Sequence, residues 1–315
     1  MKGHKSISLN IPNATALLQT ETYLSSGFKT SFASGELKQV LADFGLASHA
    51  SFAVFDRSQR RTHYEERCVL MNAELASFRV MELCPGVYVC SPEVSLLYMA
   101  QKLSLDSLVL LGYELCGRYV LDPMIDKGFG TRPALCSVAQ ISEVAKVRRA
   151  RGARALRKAA KRIVEGSYSK RESVLSMCLG YAPAWGGYRF SGYELNSELR
   201  LSERAARIYG KDSCRGDMVF AQERVIVEYD SDSEHTSAAA RGKDARRVAA
   251  LAMDGYHVIS VTKPQLESTE QLDAVAEVLS MRLNREMPRV RIADYEDRKD
   301  ALRKSLLTRR DWYVY

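Results

Sequence analysis

The chain has 315 residues, 46% of them hydrophobic and 27% charged, with a formal net charge of +8. This composition excludes a disordered or low-complexity chain, predicts a globular protein of two domains and favours polyanionic partners. No segment approaches the roughly 20 apolar residues of a membrane span and no apolar leader opens the chain, so no membrane association is expected; the seven cysteines lack zinc-site spacing, which points to buried thiols in a reducing cytoplasm.

Taken in order, residues 1–45 predict two short helices, over 14–20 and 36–44; the second carries Leu37, Val40, Leu41 and Phe44 at helical spacing before Gly45. A winged-helix-like unit is compatible with this region, although no base-reading helix is evident. Residues 52–55 and 85–90 read as strands. Ser91-Pro92-Glu93 opens a helix to Gln101, with Ser at the N-cap and Pro in the first turn. Residues 108–119 form the most apolar stretch of the first half, and Glu114 and Arg118 are spaced as a helical pair. Residues 127–133 read as a loop. Its two glycines and two basic residues could hold a phosphate, but the Walker pattern is absent.

The middle third changes character. Between Lys146 and Arg171, eleven of 26 residues are Lys or Arg and Glu165 is the sole acid. Val147, Ala150, Ala153, Leu156, Ala160 and Ile163 lay an apolar stripe along a predicted helix that ends at Glu165-Gly166. Its basic residues, including Arg149, Arg151, Arg154, Arg157, Lys158 and Lys161, are either a solvated helix face or a track for phosphate backbone. Ser169-x-x-Glu172 has the form of a capping box at the next helix start, and Glu172 is equally a candidate site acid. The aromatic and glycine-rich residues 181–193 read as a packed loop or as a platform for bases.

Two strands follow. Val225-Ile226-Val227 is a short β-branched run of the kind buried on both faces, and Gln222-Glu223-Arg224 is short enough to fold the preceding strand back beside it. Side chains alternate along a strand, so Glu228 and Asp230 share a face, with Asp217 at the start of the neighbouring strand. Three converging carboxylates repel and lose solvation. A divalent ion removes both costs; the alternative is a solvated sheet edge without metal. A helix from 236 to 254, a strand from 256 to 262 and a helix from Pro264, with Leu272, Val275, Val278 and Leu279 on its buried side, complete a strand–helix–strand crossover. Residues 289–292 alternate like an edge strand, and 294–310 predict a basic helix before Trp312, Tyr313 and Tyr315.

Asp217, then Glu228-Tyr229-Asp230-Ser231, His235, Asp244-x-x-Arg247 and Gly255-Tyr256-x-Val258 resemble, in order and spacing, the PD-(D/E)XK nuclease superfamily in its branch similar to very-short-patch repair endonucleases. The likeness covers about residues 167–282. It implies an α/β chain but does not extend over residues 1–140, whose own short helices and strands read as an α+β domain over 1–145 that would set target or partner. A restriction-endonuclease-like domain with a mixed sheet flanked by helices follows over 146–285, then a basic tail over 286–315. It also implies a metal-dependent endodeoxyribonuclease. Asp217, Glu228 and Asp230 would hold Mg2+ or Mn2+, with Glu172 as a further acid. His235 takes the place of the usual lysine, a position where Asp230 departs from the family pattern, although an exposed loop histidine is the plain alternative. Lys243 and Arg247 are candidates for DNA phosphate; Arg247 could equally be tied to Asp244. The layout is also similar to antitoxin-like regulators of phage-defence systems, which implies as the alternative a DNA-binding regulator that keeps the fold without cleavage.

Overall fold

A computed structural model describes residues 21–23, 51–54, 68–70, 75, 80–84, 87–121, 129–230, 238–287 and 294–307. The expected helices over 14–20 and 36–44, His235, the alternating segment 289–292 and the terminal aromatics lie outside them. The chain is α/β and divides into two compact units. One comprises residues up to Lys102 with Tyr119–Arg157; the other comprises Leu103–Arg118 with the chain from Lys158 onward.

In the first unit, β1 (Glu21–Tyr23), β2 (Ser51–Val54), β3 (Cys68–Leu70), β4 (Val80–Cys84) and β5 (Val87–Cys90) form a mixed sheet in the order β3-β2-β1-β5-β4. Helix α1 (Pro92–Met99) starts where the Ser-Pro pair predicts, with proline in the first turn, yet the Ser91 hydroxyl makes no capping bond. The apolar stretch 108–119 supplies α2 (Leu105–Leu115), which belongs to the second unit; Ser104 caps it by accepting from the Ser107 N–H. Arg118 lies beyond the end of α2, so the helical Glu114–Arg118 pairing is not formed. Instead Arg118 stands over the ring of Tyr168. Part of the expected 127–133 loop is a strand: β6 (Tyr119–Leu121) pairs antiparallel with β7 (Phe129–Thr131).

The long basic helix expected from Lys146 is a correction. Helix α3 (Val138–Val144) ends before it, and α4 covers only Ala153–Ala160. Between them Arg149 (φ 60°) and Gly152 (φ 85°) adopt left-handed backbone, which ends any right-handed helix. A Cβ at Gly152 would lie 2.5 Å from the Leu97 carbonyl oxygen, so the close approach also requires glycine there.

The second unit is organised on a four-stranded mixed sheet. After α5 (Lys170–Gly180) come β8 (Glu194–Arg200), α6 (Glu203–Tyr209), β9 (Ser213–Phe220), β10 (Val225–Asp230), α7 (Ala238–Met253) and β11 (His257–Thr262). The order is β11-β10-β9-β8, with β10 parallel to β11 and the other pairs antiparallel. Val225, Ile226 and Val227 are fully buried, which is why this run has no polar face. The hairpin turn takes four residues, Ala221–Arg224, with Arg224 at φ 54°. The predicted strand–helix–strand unit is β10-α7-β11, and α5, α7 and α9 (Thr269–Arg282) flank the sheet. The helix from Pro264 is split: α8 (Lys263–Glu267) ends before Ser268, which caps α9 by accepting from the Gln271 N–H. Leu272, Val275 and Leu279 are buried as expected, whereas Val278 is 40% exposed.

Helix α10 (Tyr295–Leu307) is docked rather than trailing. Lys299, 4% exposed, places its ammonium 2.6 and 2.8 Å from the two oxygens of Asp273 and 2.8 Å from Glu296 Oε1. The Tyr188 hydroxyl donates to the same aspartate at 2.5 Å, and the rings of Tyr188 and Tyr295 lie beneath the cation. Gly186, at φ 85°, accepts α10 so closely that a Cβ would lie 2.3 Å from the Arg298 carbonyl oxygen. Removing one partner of a buried ion pair leaves the other charge uncompensated. Lys299→Met is therefore expected to lower unfolding free energy by about 2–4 kcal/mol in a urea titration, and Lys299→Met with Asp273→Leu to recover part of the loss.

Candidate functional site

The site begins where the β9–β10 ladder stops. The last paired residues are Met218 and Val227, so Asp217 and Glu228 occupy the next position on two adjacent strands. Here the backbone ladder gives way to a side chain: the Tyr229 N–H donates to Asp217 Oδ2 at 2.9 Å. Gly216 permits this packing, because a Cβ there would lie 2.7 Å from Ile226 and 2.8 Å from Val219.

Asp217 is half-buried and its carboxyl is pushed up to about 7. Burial is the largest cause and the Glu172 charge the next; Glu228 adds to it, while the Tyr229 N–H and Arg247 act against it. A proton on Asp217 near neutral pH relieves the crowding of three acids in a partly dry place.

Glu228 has a different neighbour. Arg247, at the middle of α7, donates Nη1 to Glu228 Oε1 at 2.6 Å and Nη2 to Oε2, a two-pronged pair whose side chains are 17% and 14% exposed. The same Nη1 reaches the Arg215 carbonyl oxygen at 3.2 Å, and Nε lies 3.4 Å from Asp244, which is 67% exposed. The spacing of Asp244 and Arg247 suggested a local pair, but the stronger partner is Glu228, nineteen residues away. The Glu228 hydrogen bonds and charge hold the Arg247 proton more tightly than usual, against the opposing effect of burial.

The third acid beside Asp217 is Glu172. Ser169 accepts from the Glu172 N–H at 3.1 Å, which is the first half of the expected capping box. The Glu172 carboxylate does not return to the Ser169 N–H. It accepts instead from the Tyr168 N–H at 2.8 Å and from Asn196 Nδ2 at 2.7 Å. Glu172 thus ties the residue before the helix cap to Asn196 of β8 and also acts on Asp217. Asn196 offers its amide from a left-handed residue within β8 (φ 50°), a position that no sequence pattern marks.

Asp230 is exposed at the end of β10, and it is not among the charges that act on Asp217. Among the described residues no three His, Cys, Asp or Glu side chains form a set able to hold a metal ion. At Glu228 both carboxylate oxygens already receive the Arg247 guanidinium. A divalent ion does not fit this arrangement unless Arg247 leaves.

The candidate phosphate contacts fall into two groups. Arg149, Arg151, Arg154, Arg157, Lys158 and Lys161 are exposed, with Arg157 also donating to the Ala145 carbonyl at 2.6 Å. Lys243 is exposed on α7, whereas Arg247 is committed to Glu228. The aromatic segment 181–193 is mainly packing: Tyr181, Tyr188 and Phe190 are buried, and only Trp185 (47% exposed) presents a ring, with the Arg162 guanidinium 3.6 Å from its centroid. Among the described residues no helix is long and apolar enough to cross a membrane. Comparison with protein-family models, curated proteins and solved structures finds no match to this chain.

Proposed function

We propose that this protein binds DNA through its exposed basic residues and retains a nuclease-like carboxylate site that Arg247 keeps closed. The observation that carries the reading is the two-pronged seat of Arg247 on Glu228 beside a carboxyl pushed up to about 7. One acid of the pair is neutralised by an internal guanidinium and the other by a proton, which leaves the site without the charge a hydrolytic metal centre needs. Net charge +8 and the six exposed basic residues between Arg149 and Lys161 support a polyanionic partner that is held by its backbone phosphates.

A second reading, a metal-dependent endonuclease, is favoured by Asp217 itself. A half-buried carboxyl beside two further acids is a group that a divalent cation would stabilise in its ionised form. In that reading Asp217 and Glu228 would hold Mg2+ or Mn2+ once Arg247 had swung away, and the ion would supply charge neutralisation and a more acidic water.

One experiment separates the two. Supercoiled plasmid is incubated with the protein and Mg2+ or Mn2+, and a labelled duplex is titrated at rising salt. Salt-sensitive binding without nicking is the expected result. Metal-dependent nicking that disappears in both Asp217→Ala and Glu228→Ala would replace it with the endonuclease reading. Absence of both binding and nicking at low salt would sink the two together.

A further inference from the structure

Beside the acids lies a second group of residues that the motif pattern does not include. The ring of Tyr168 carries two guanidiniums, with Arg215 4.8 Å and Arg118 5.8 Å from its centroid. Both distances are within cation–π reach. Both arginines are exposed, Tyr168 is half-buried, and among the described residues neither guanidinium has a carboxylate partner.

Three connections tie this group to the carboxylate site. The Tyr168 N–H donates to Glu172 at 2.8 Å, the Arg215 carbonyl accepts from Arg247 at 3.2 Å, and Arg215 lies two residues before Asp217 on β9. The backbone around the group is fixed as well. The Arg118 N–H donates to the Ser167 carbonyl at 2.7 Å and the Gly166 N–H to the Cys116 carbonyl at 3.2 Å, so the chain segments bearing Arg118 and Tyr168 are joined directly.

Two like charges drawn to one ring repel each other, and the tyrosine face offsets only part of that cost. An anion bridging them would relieve it. Guanidinium is planar and strongly ionised, and presents paired N–H donors that match the two free oxygens of a phosphodiester. A carboxylate of the same chain would have served equally well, yet none of those described occupies the place.

We infer that Arg118 and Arg215, set on Tyr168, form a clamp for a backbone phosphate of bound DNA at the rim of the Asp217–Glu228 site. The inference rests on the DNA-binding reading above and adds to it the contact that places the strand next to the carboxylates. Tyr168 is a positioning residue here: its ring holds the two guanidiniums in place.

The test is the salt dependence of binding to a short fluorescently labelled DNA duplex, read by anisotropy. Removing one phosphate-binding side chain lowers the slope of log K against log salt by about 0.9. Arg118→Ala with Arg215→Ala, which together give up one shared phosphate, is expected to lower the slope by about 1 and to weaken binding on the order of tenfold at moderate salt. Arg204→Ala with Arg207→Ala, which takes two exposed charges from α6, serves as the equal-charge control and should leave the slope nearly unchanged. Tyr168→Leu keeps both charges and should weaken binding partway. Because both guanidiniums of the clamp are exposed, its double variant should melt at the wild-type temperature. A clamp variant whose slope and affinity match those of the α6 control overturns the clamp while leaving DNA binding in place. A wild-type protein that fails to bind the duplex at low salt overturns the DNA-binding reading, and the clamp with it.

Discussion

Arg247→Ala is expected to lower unfolding free energy by about 2–4 kcal/mol at neutral pH. The truncation leaves Glu228 as an uncompensated carboxylate that is only 14% exposed. It also removes the donor to the Arg215 carbonyl, so the link from α7 to β9 disappears together with the link to β10. A fully buried pair would cost about 3–5 kcal/mol on losing one partner, and the residual exposure of this one reduces the figure. Arg247→Met with Glu228→Gln should regain most of the loss, because neither remaining group then needs a counter-charge. Urea titrations of the wild type, the single and the double variant check this. A single variant within about 0.5 kcal/mol of wild type would show that the pair is a surface contact of ordinary weight. The same variants bear on the proposed function. If a divalent ion and Arg247 compete for Glu228, Mn2+ should raise the melting temperature of Arg247→Ala more than that of wild type. If the carboxylates form no ion site even without Arg247, the ion should shift neither.

Asp217→Asn is expected to stabilise the protein above neutral pH. The folded state holds the Asp217 proton up to about 7, whereas the unfolded chain releases it near 3.8. A carboxyl raised in this way contributes its stability in full below the unfolded value. That contribution falls as pH rises towards 7 and is absent above it, so stability from this group declines across that window. The shift of about three units sets a ceiling of about 4 kcal/mol, and solvent access at a half-buried group lowers it. Asparagine keeps an oxygen to accept from the Tyr229 N–H and offers an amide to Glu172. The variant should therefore gain about 1–3 kcal/mol at pH 8 and lose the one-proton slope between pH 4 and 7. Denaturant midpoints measured across that range in the presence of a chelator test the sign, and carboxyl NMR of Asp217 tests the midpoint. An Asp217 resonance that titrates near 4 would remove the basis of the prediction.

The sequence by itself determined what depends on near neighbours. Val225-Ile226-Val227 had to be an interior strand because no residue in the run offers a polar face, and the polar residues before it had to turn the chain back. Together these place Asp217 beside Glu228. The β10-α7-β11 unit and the Ser169 cap are local in the same sense. Tertiary structure decided the partners. Arg247 could read Asp244 at three residues or Glu228 at nineteen; burial selects the second, since a carboxylate at the end of an interior strand loses more solvation than one exposed on a helix surface. The basic segment between residues 146 and 165 has helical periodicity throughout, yet it is broken where Gly152 must pass the Leu97 carbonyl, a contact invisible in its own pattern. Tyr168, Arg118 and Arg215 come from three separate stretches with no shared spacing, so their meeting could be seen only once the chain was folded. Periodicity records which face of an element is dry; it does not record which distant group will share that face.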